Sequence, residues 1–116
     1  MKDSRFEQSL LFDFYGELLT DKQREYFDLH YNEDLSLAEI AEQTGISRQG
    51  VWDIIRRAEA SMREIENKTG LIRRFNETSR AVEAIEEKLT ELESVTDGKA
   101  NELCGDIRSQ LGLLKF

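Results

Sequence analysis

The stretch from Ser36 to Arg57, SLAEIAEQTGISRQGVWDIIRR, constrains the fold more than any other part of the chain. Ser36 followed by Glu39 has the spacing of a capping box, in which the hydroxyl accepts from the amide of the third helical residue and the carboxylate reaches back to the cap. Eleven residues on, Ser47 has the character of a plain N-cap, because Gly50 stands where a second box would need a carboxylate or amide. Between the two starts lies Thr44-Gly45-Ile46, and a glycine there can adopt the positive φ of a sharp turn. Leu37, Ile40 and Ala41 supply the inner face of the first helix, and Val51, Ile54 and Ile55 that of the second. Ala41 is small where two helices must cross closely. Two short capped helices joined by a glycine turn are a helix-turn-helix, whose second helix is the one offered to the major groove of DNA.

The rest of the chain is read as helix. It has 116 residues, no proline, and is rich in leucine, glutamate, alanine and arginine, all strong helix formers. Phe6, Leu10, Leu11, Phe14 and Tyr15 fall at helical spacing, with Gly16 expected to interrupt or end that helix. Thr20 with Gln23 repeats the capping-box spacing and opens a helix carrying Tyr26, Phe27 and Tyr31, before a turn at Asn32-Glu33-Asp34. The helix from Ser47 meets no breaker before Asn67, and Gly70 has the position of a C-terminal cap. Beyond it, Leu71, Phe75, Thr78, Val82, Ile85, Leu89 and Leu92 step alternately by four and three, an a/d seam with one polar member. Thr96-Asp97-Gly98 closes that helix, and a last short one is expected to hold Leu103, Ile107, Leu111 and Leu114, weakened by Gly105 and Gly112. The expected organisation is all-α: a helix-turn-helix domain over 1–70 without winged elements, then a helical extension over 71–116, in which a long heptad-patterned helix precedes a short last one. A single apolar stripe must be buried somewhere, either back on the first domain or on the same seam of another chain. A homodimer is the simpler expectation, since two recognition helices then read two half-sites.

Charge limits the function. The net charge is −8 and the pI about 4.7, the wrong sign for a chain whose main task is non-specific nucleic-acid binding. Any basic footprint must be local, and from Ser47 to Arg63 four arginines do outnumber Asp53 and Glu59. On the outer face of the second helix stand Arg48, Gln49, Trp52, Asp53, Arg56 and Arg57, with Ser47 at its start. Arg48 and Gln49 suit guanine and adenine edges by bidentate geometry, while Arg56 and Arg57 suit phosphates. The same residues on a solvated helix face would need no ligand. Trp52 is open to three uses: stacking on a base, anchoring a protein interface, or folding onto its own domain.

Other chemistry is scarce. No Walker loop, GxGxxG, nucleophile elbow or CxxC occurs, so neither an enzyme nor a bound cofactor is expected. His30 has no second ligand at metal spacing and reads as a surface or packing residue. Cys104 is the single cysteine, which excludes an internal disulfide and fits a small packing residue in a reducing cytoplasm. Glu7 and Asp13 break up the apolar residues near the start, so no signal peptide is expected, and no run reaches the length of a membrane span.

The segments LLFDFYGELLTDKQREYFDLHYNEDLSLAEIAEQTGISRQGVWDIIRRAE and KTGLIRRF, spanning about Leu10 to Phe75, resemble the YlxM family of small bacterial helix-turn-helix proteins. That family is associated by gene neighbourhood with the signal recognition particle pathway. The resemblance implies a mostly helical, dimeric protein with a regulatory or accessory role in protein export, and as partners DNA or the particle's RNA, or its GTPase. The chain is also similar to the promoter-reading fourth region of sigma factors in its LT, SL-EIA and SR--V patterns. Sigma factors commonly place arginine where Gly50 and Trp52 stand and glutamine where Asp53 stands, so this second resemblance keeps Arg48 but does not extend to those groove-facing side chains.

Overall fold

Each helix start and stop that the sequence marks is made by a hydrogen bond. In the computed structural model, which describes residues 4–115, Thr20 and Ser36 both form complete capping boxes, opening α2 (Asp21–Tyr31) and α3 (Leu37–Thr44). Ser47 accepts from the Gly50 amide at 3.0 Å and opens α4 (Arg48–Thr69). Gly45 sits at φ 78° and Gly70 at φ 64°, each in the left-handed region that ends a helix. Ahead of these, α1 (Ser4–Tyr15) runs into a 3-10 turn at Gly16–Leu18. After Gly70 come α5 (Leu71–Ser94) and α6 (Lys99–Gly112). Among the described residues there is no strand, and the fold is all-α.

The chain forms two compact units, one ending at Ile72 and one beginning at Arg73. In the first, α1, α2 and α3 all pack on α4. The α4 residues Val51, Ile55, Ala58 and Met62 are fully buried and share one core with Phe27 and Ile40. They step by four, three and four residues, so a single face of one long helix serves all three partners. Phe12 stacks on Phe27 with ring centroids 5.3 Å apart. Ala41 and Ile54 pack at the core edge, as the motif requires.

The buried face of α1 differs from the expected one. Leu11 and Tyr15 are buried, but Phe6 and Phe14 are exposed, and the side chain facing inward one turn before Leu11 is Gln8. Its amide donates to Glu59 Oε1 at 2.8 Å, and Glu59 also accepts from Arg63 Nε at 2.8 Å. A buried polar group is tolerated when it is paired, and hydropathy spacing cannot register that. His30 is half-buried, and its Nδ1 donates to the Leu35 carbonyl at 2.8 Å, a packing role. Another pairing closes the corner at Gly70. Glu66 Oε1 accepts from the buried Tyr15 hydroxyl at 2.6 Å and from the Ile72 amide at 3.0 Å, while the Thr69 hydroxyl lies 2.7 Å from that of Tyr15.

In the second unit, Val82 and Leu89 of α5 are buried with Cys104 and Leu111 of α6. The turn between the helices is held by Thr96, whose Oγ1 donates to the Leu92 carbonyl at 2.7 Å and lies 2.5 Å from Asn101 Oδ1. Ion pairs join the helices, Arg108 to Glu93 at 2.9 Å and Lys115 to Glu86 at 2.8 Å. The seam is thus divided. Val82 and Leu89 close a helical hairpin, an arrangement weighed in neither expectation for the stripe, while Leu71, Ile85 and Leu92 remain exposed and Phe75 is half-buried. The inner face of α6 also differs from the apolar spacing. Cys104 and Leu111 point inward, Leu103 and Ile107 do not, and Leu114 lies beyond the helix end and is exposed.

Candidate nucleic-acid interface

The start of α4 is built by packing before it can bind anything. Ser47 caps it, and Gly50 donates to that cap. A Cβ on Gly50 would stand 2.7 Å from Cγ2 of Ile46, a branched side chain with little freedom to move aside. Glycine therefore occupies the position where sigma factors commonly have arginine for a steric reason, and no side chain projects there. Gly45, by contrast, has open space around a notional Cβ, so it is the turn's positive φ that calls for glycine.

The crossing of α3 and α4 leaves a concave surface of about 810 Å³ lined by Ser36, Leu37, Ala38, Ser47, Arg48, Gln49 and Trp52. Four residues singled out from the sequence, Ser47, Arg48, Gln49 and Trp52, come together here. Both N-caps border the groove, so the partly positive ends of two helices meet at one place. Arg48 and Gln49 are exposed, and among the described residues Arg48 takes part in no ion pair. Trp52 is half-buried: part of its ring packs on the core of the first unit and part lines the groove. Glu39 is engaged in its own capping box. Its carboxyl is held below the ordinary range first by the Ser36 amide, which donates to it at 2.8 Å, and then by the Ser36 hydroxyl.

Asp53, Arg56 and Arg57 lie further along α4 and line no part of this groove. Asp53 Oδ1 pairs with Arg56 at 3.4 Å and Oδ2 with Arg57 Nε at 3.1 Å, three and four residues on. One carboxylate therefore engages both arginines proposed for phosphate contact. The i,i+4 spacing was visible in the sequence, but reading Asp53 as one more groove-facing residue missed its partnership. The contribution of Ser36, Leu37 and Ala38 was missed as well, since only the crossing of the helices brings the start of α3 beside the start of α4.

Two capped helices crossing at a left-handed glycine, with the second one's start exposed, define a helix-turn-helix protein. A family model described as "Putative helix-turn-helix protein, YlxM / p13 like" matches residues 2–102, and the chain belongs to this family, UPF0122. The match runs through α5 and into α6, beyond the stretch from Leu10 to Phe75 that carried the resemblance. The chain is 49% identical over 87 residues to UPF0122 protein TTE1463 of Caldanaerobacter subterraneus subsp. tengcongensis, covering 75% of this chain and 74% of that one. It is 49% identical over 85 residues to UPF0122 protein Teth514_1714 of a Thermoanaerobacter species, covering 73% of each. To UPF0122 protein BcerKBAB4_3669 of Bacillus mycoides it is 45% identical over 97 residues, covering 84% of this chain and 88% of the relative. No helix among the described residues is long and apolar enough to cross a membrane.

Proposed function

We propose that this chain is a non-enzymatic regulatory or accessory protein of the signal recognition particle pathway, working in the cytoplasm by docking the start of α4 on nucleic acid. The observation that carries the docking is the groove where the positive ends of α3 and α4 meet beside Arg48, Gln49 and Trp52. Helix N-termini favour phosphate, arginine and glutamine suit base edges, and an aromatic wall suits a stacked base. The export pathway enters through the family resemblance, which makes the particle's RNA a candidate ligand alongside DNA. The test is an electrophoretic shift with duplex DNA and with particle RNA at two salt concentrations. The parent is expected to bind one of them with a steep loss at high salt. The Arg48→Ala/Arg56→Ala double variant is expected to bind about tenfold or more weakly, since a good base contact contributes roughly 1–3 kcal/mol. Equal binding by the double variant would overturn the mechanism.

A second reading has its own observation. Asp53 occupies both Arg56 and Arg57, and the chain carries −8. Those facts favour a protein-interaction module that presents the groove and Trp52 to the pathway's GTPase without specific nucleic acid. A pull-down from cell extract with and without nuclease separates the two, because only capture through nucleic acid is lost on digestion.

A further inference from the structure

We infer that, with α4 docked on nucleic acid as proposed above, the groove between α3 and α4 takes an unpaired nucleobase with its phosphate, and not the edge of a duplex. Shape is the first reason. A recognition helix that reads a duplex inserts a projecting row of side chains into the major groove, which is itself a trough. Here the row is interrupted at Gly50, where Ile46 leaves no room for a Cβ, and the surface beside it is hollow. Two hollows do not fill one another, whereas a base turned out from its strand fills one. At about 810 Å³ the groove has the size of a small-ligand site, roughly 300–1,000 Å³.

The lining is the second reason. Leu37, Ala38 and part of the Trp52 ring give the groove an apolar floor, and the rest of that ring packs on the core of the first unit. The indole is therefore held in place before a ligand arrives, as a stacking platform requires. Around it the polar groups are unengaged. Among the described residues the side chains of Arg48, Gln49 and Trp52 make no hydrogen bond or ion pair. Ser36 and Ser47 each accept a backbone amide at 3.0 Å, which leaves the hydroxyl hydrogen to donate. Glutamine and arginine suit a base edge, and the hydroxyls suit the adjoining phosphate. Charge is the third reason. Residues 1–72 hold fifteen acidic side chains against nine basic ones. Such a surface opposes the long run of phosphates that a duplex lays across it more than the short run beside one extruded base. A base that is already unpaired also costs least to turn outward.

The test titrates the full chain with an RNA hairpin carrying a loop of unpaired bases, a DNA hairpin of the same sequence, and a closed duplex of equal phosphate count. Trp52 is the chain's one tryptophan, so its emission reports on the groove directly. The parent is expected to bind a hairpin about 5- to 150-fold more tightly than the duplex, the range that one base stacked on an aromatic side chain contributes. Only the hairpin is expected to quench the Trp52 emission, and the tighter of the two hairpins identifies the strand. Trp52→Leu should leave hairpin and duplex bound alike, and Trp52→Phe should keep most of the preference. Far-UV circular dichroism checks the fold. If Trp52→Leu loses helix, Gln49→Ala, at an exposed position, is measured in its place, with at least about a fivefold loss on the hairpin and none on the duplex. Duplex bound as tightly as hairpin, emission unchanged at saturation, or a preference that survives Trp52→Leu would overturn the inference while leaving the docking of α4 intact. Binding to none of the probes would overturn both.

Discussion

Replacing Asp53 with asparagine separates the two readings of α4. The carboxylate holds Arg56 at 3.4 Å and Arg57 at 3.1 Å, and the three side chains are 38–72% exposed. Exposed pairs of this kind contribute about 0.2–1 kcal/mol each. If the arginines meet phosphates, binding must first loosen both pairs, and Asp53→Asn removes roughly 0.5–2 kcal/mol of that opposition. Affinity should then rise by about 2- to 30-fold. The slope of log affinity against log salt should change little, because in this reading the parent's arginines already reach phosphate and the number of contacts is the same. Folding stability should move the other way by about the same 0.5–2 kcal/mol, since the same two exposed helical pairs are lost. Fluorescence anisotropy with labelled duplex and particle RNA over a salt series reads affinity and slope together, and a thermal melt reads stability. Unchanged affinity would show that Arg56 and Arg57 do not reach phosphate. The protein-interaction reading would then stand.

Two further outcomes test the fold beneath the site. Tyr15→Phe removes the buried hydroxyl that binds Glu66 and Thr69, and should cost about 1–2 kcal/mol in chemical denaturation. Burial first, and the hydrogen bond to Glu66 next, raise the Tyr15 phenol above its ordinary value. Its contribution is therefore full below about pH 10 and is lost as pH rises through the raised folded value, so the parent should lose more stability than Tyr15→Phe in alkali. Ser36→Ala should cost about 1 kcal/mol by removing the α3 cap. Glu39 has a lowered folded pKa, so its part of the capping box is present above the ordinary glutamate value and fades as pH falls through the folded one. Acid titration of Glu39→Gln should lack that phase, and an identical acid profile in parent and variant would contradict the linkage.

Local signals predicted local structure well. The boxes at Thr20 and Ser36, the cap at Ser47 and the glycines at 45 and 70 are interactions within a few residues, and each lies where its spacing placed it. Spacing was less informative about which face is buried. Gln8 points inward because Glu59, far along the chain, satisfies it, and Cys104 rather than Leu103 faces α5. Apolar periodicity names the residues that could be buried but is blind to paired polar groups and to small ones.

The sequence alone determined that this chain is all-α and contains a helix-turn-helix, because caps, turns and helix propensity act over three or four residues. It also placed Arg48, Gln49 and Trp52 at the exposed start of α4. Tertiary structure alone decided that Ser36, Leu37 and Ala38 complete the groove and that the heptad seam is shared between a closed row and an open one. Those outcomes depend on how helices cross and on which neighbour claims each face, and the spacing within a single helix carries no record of its neighbours.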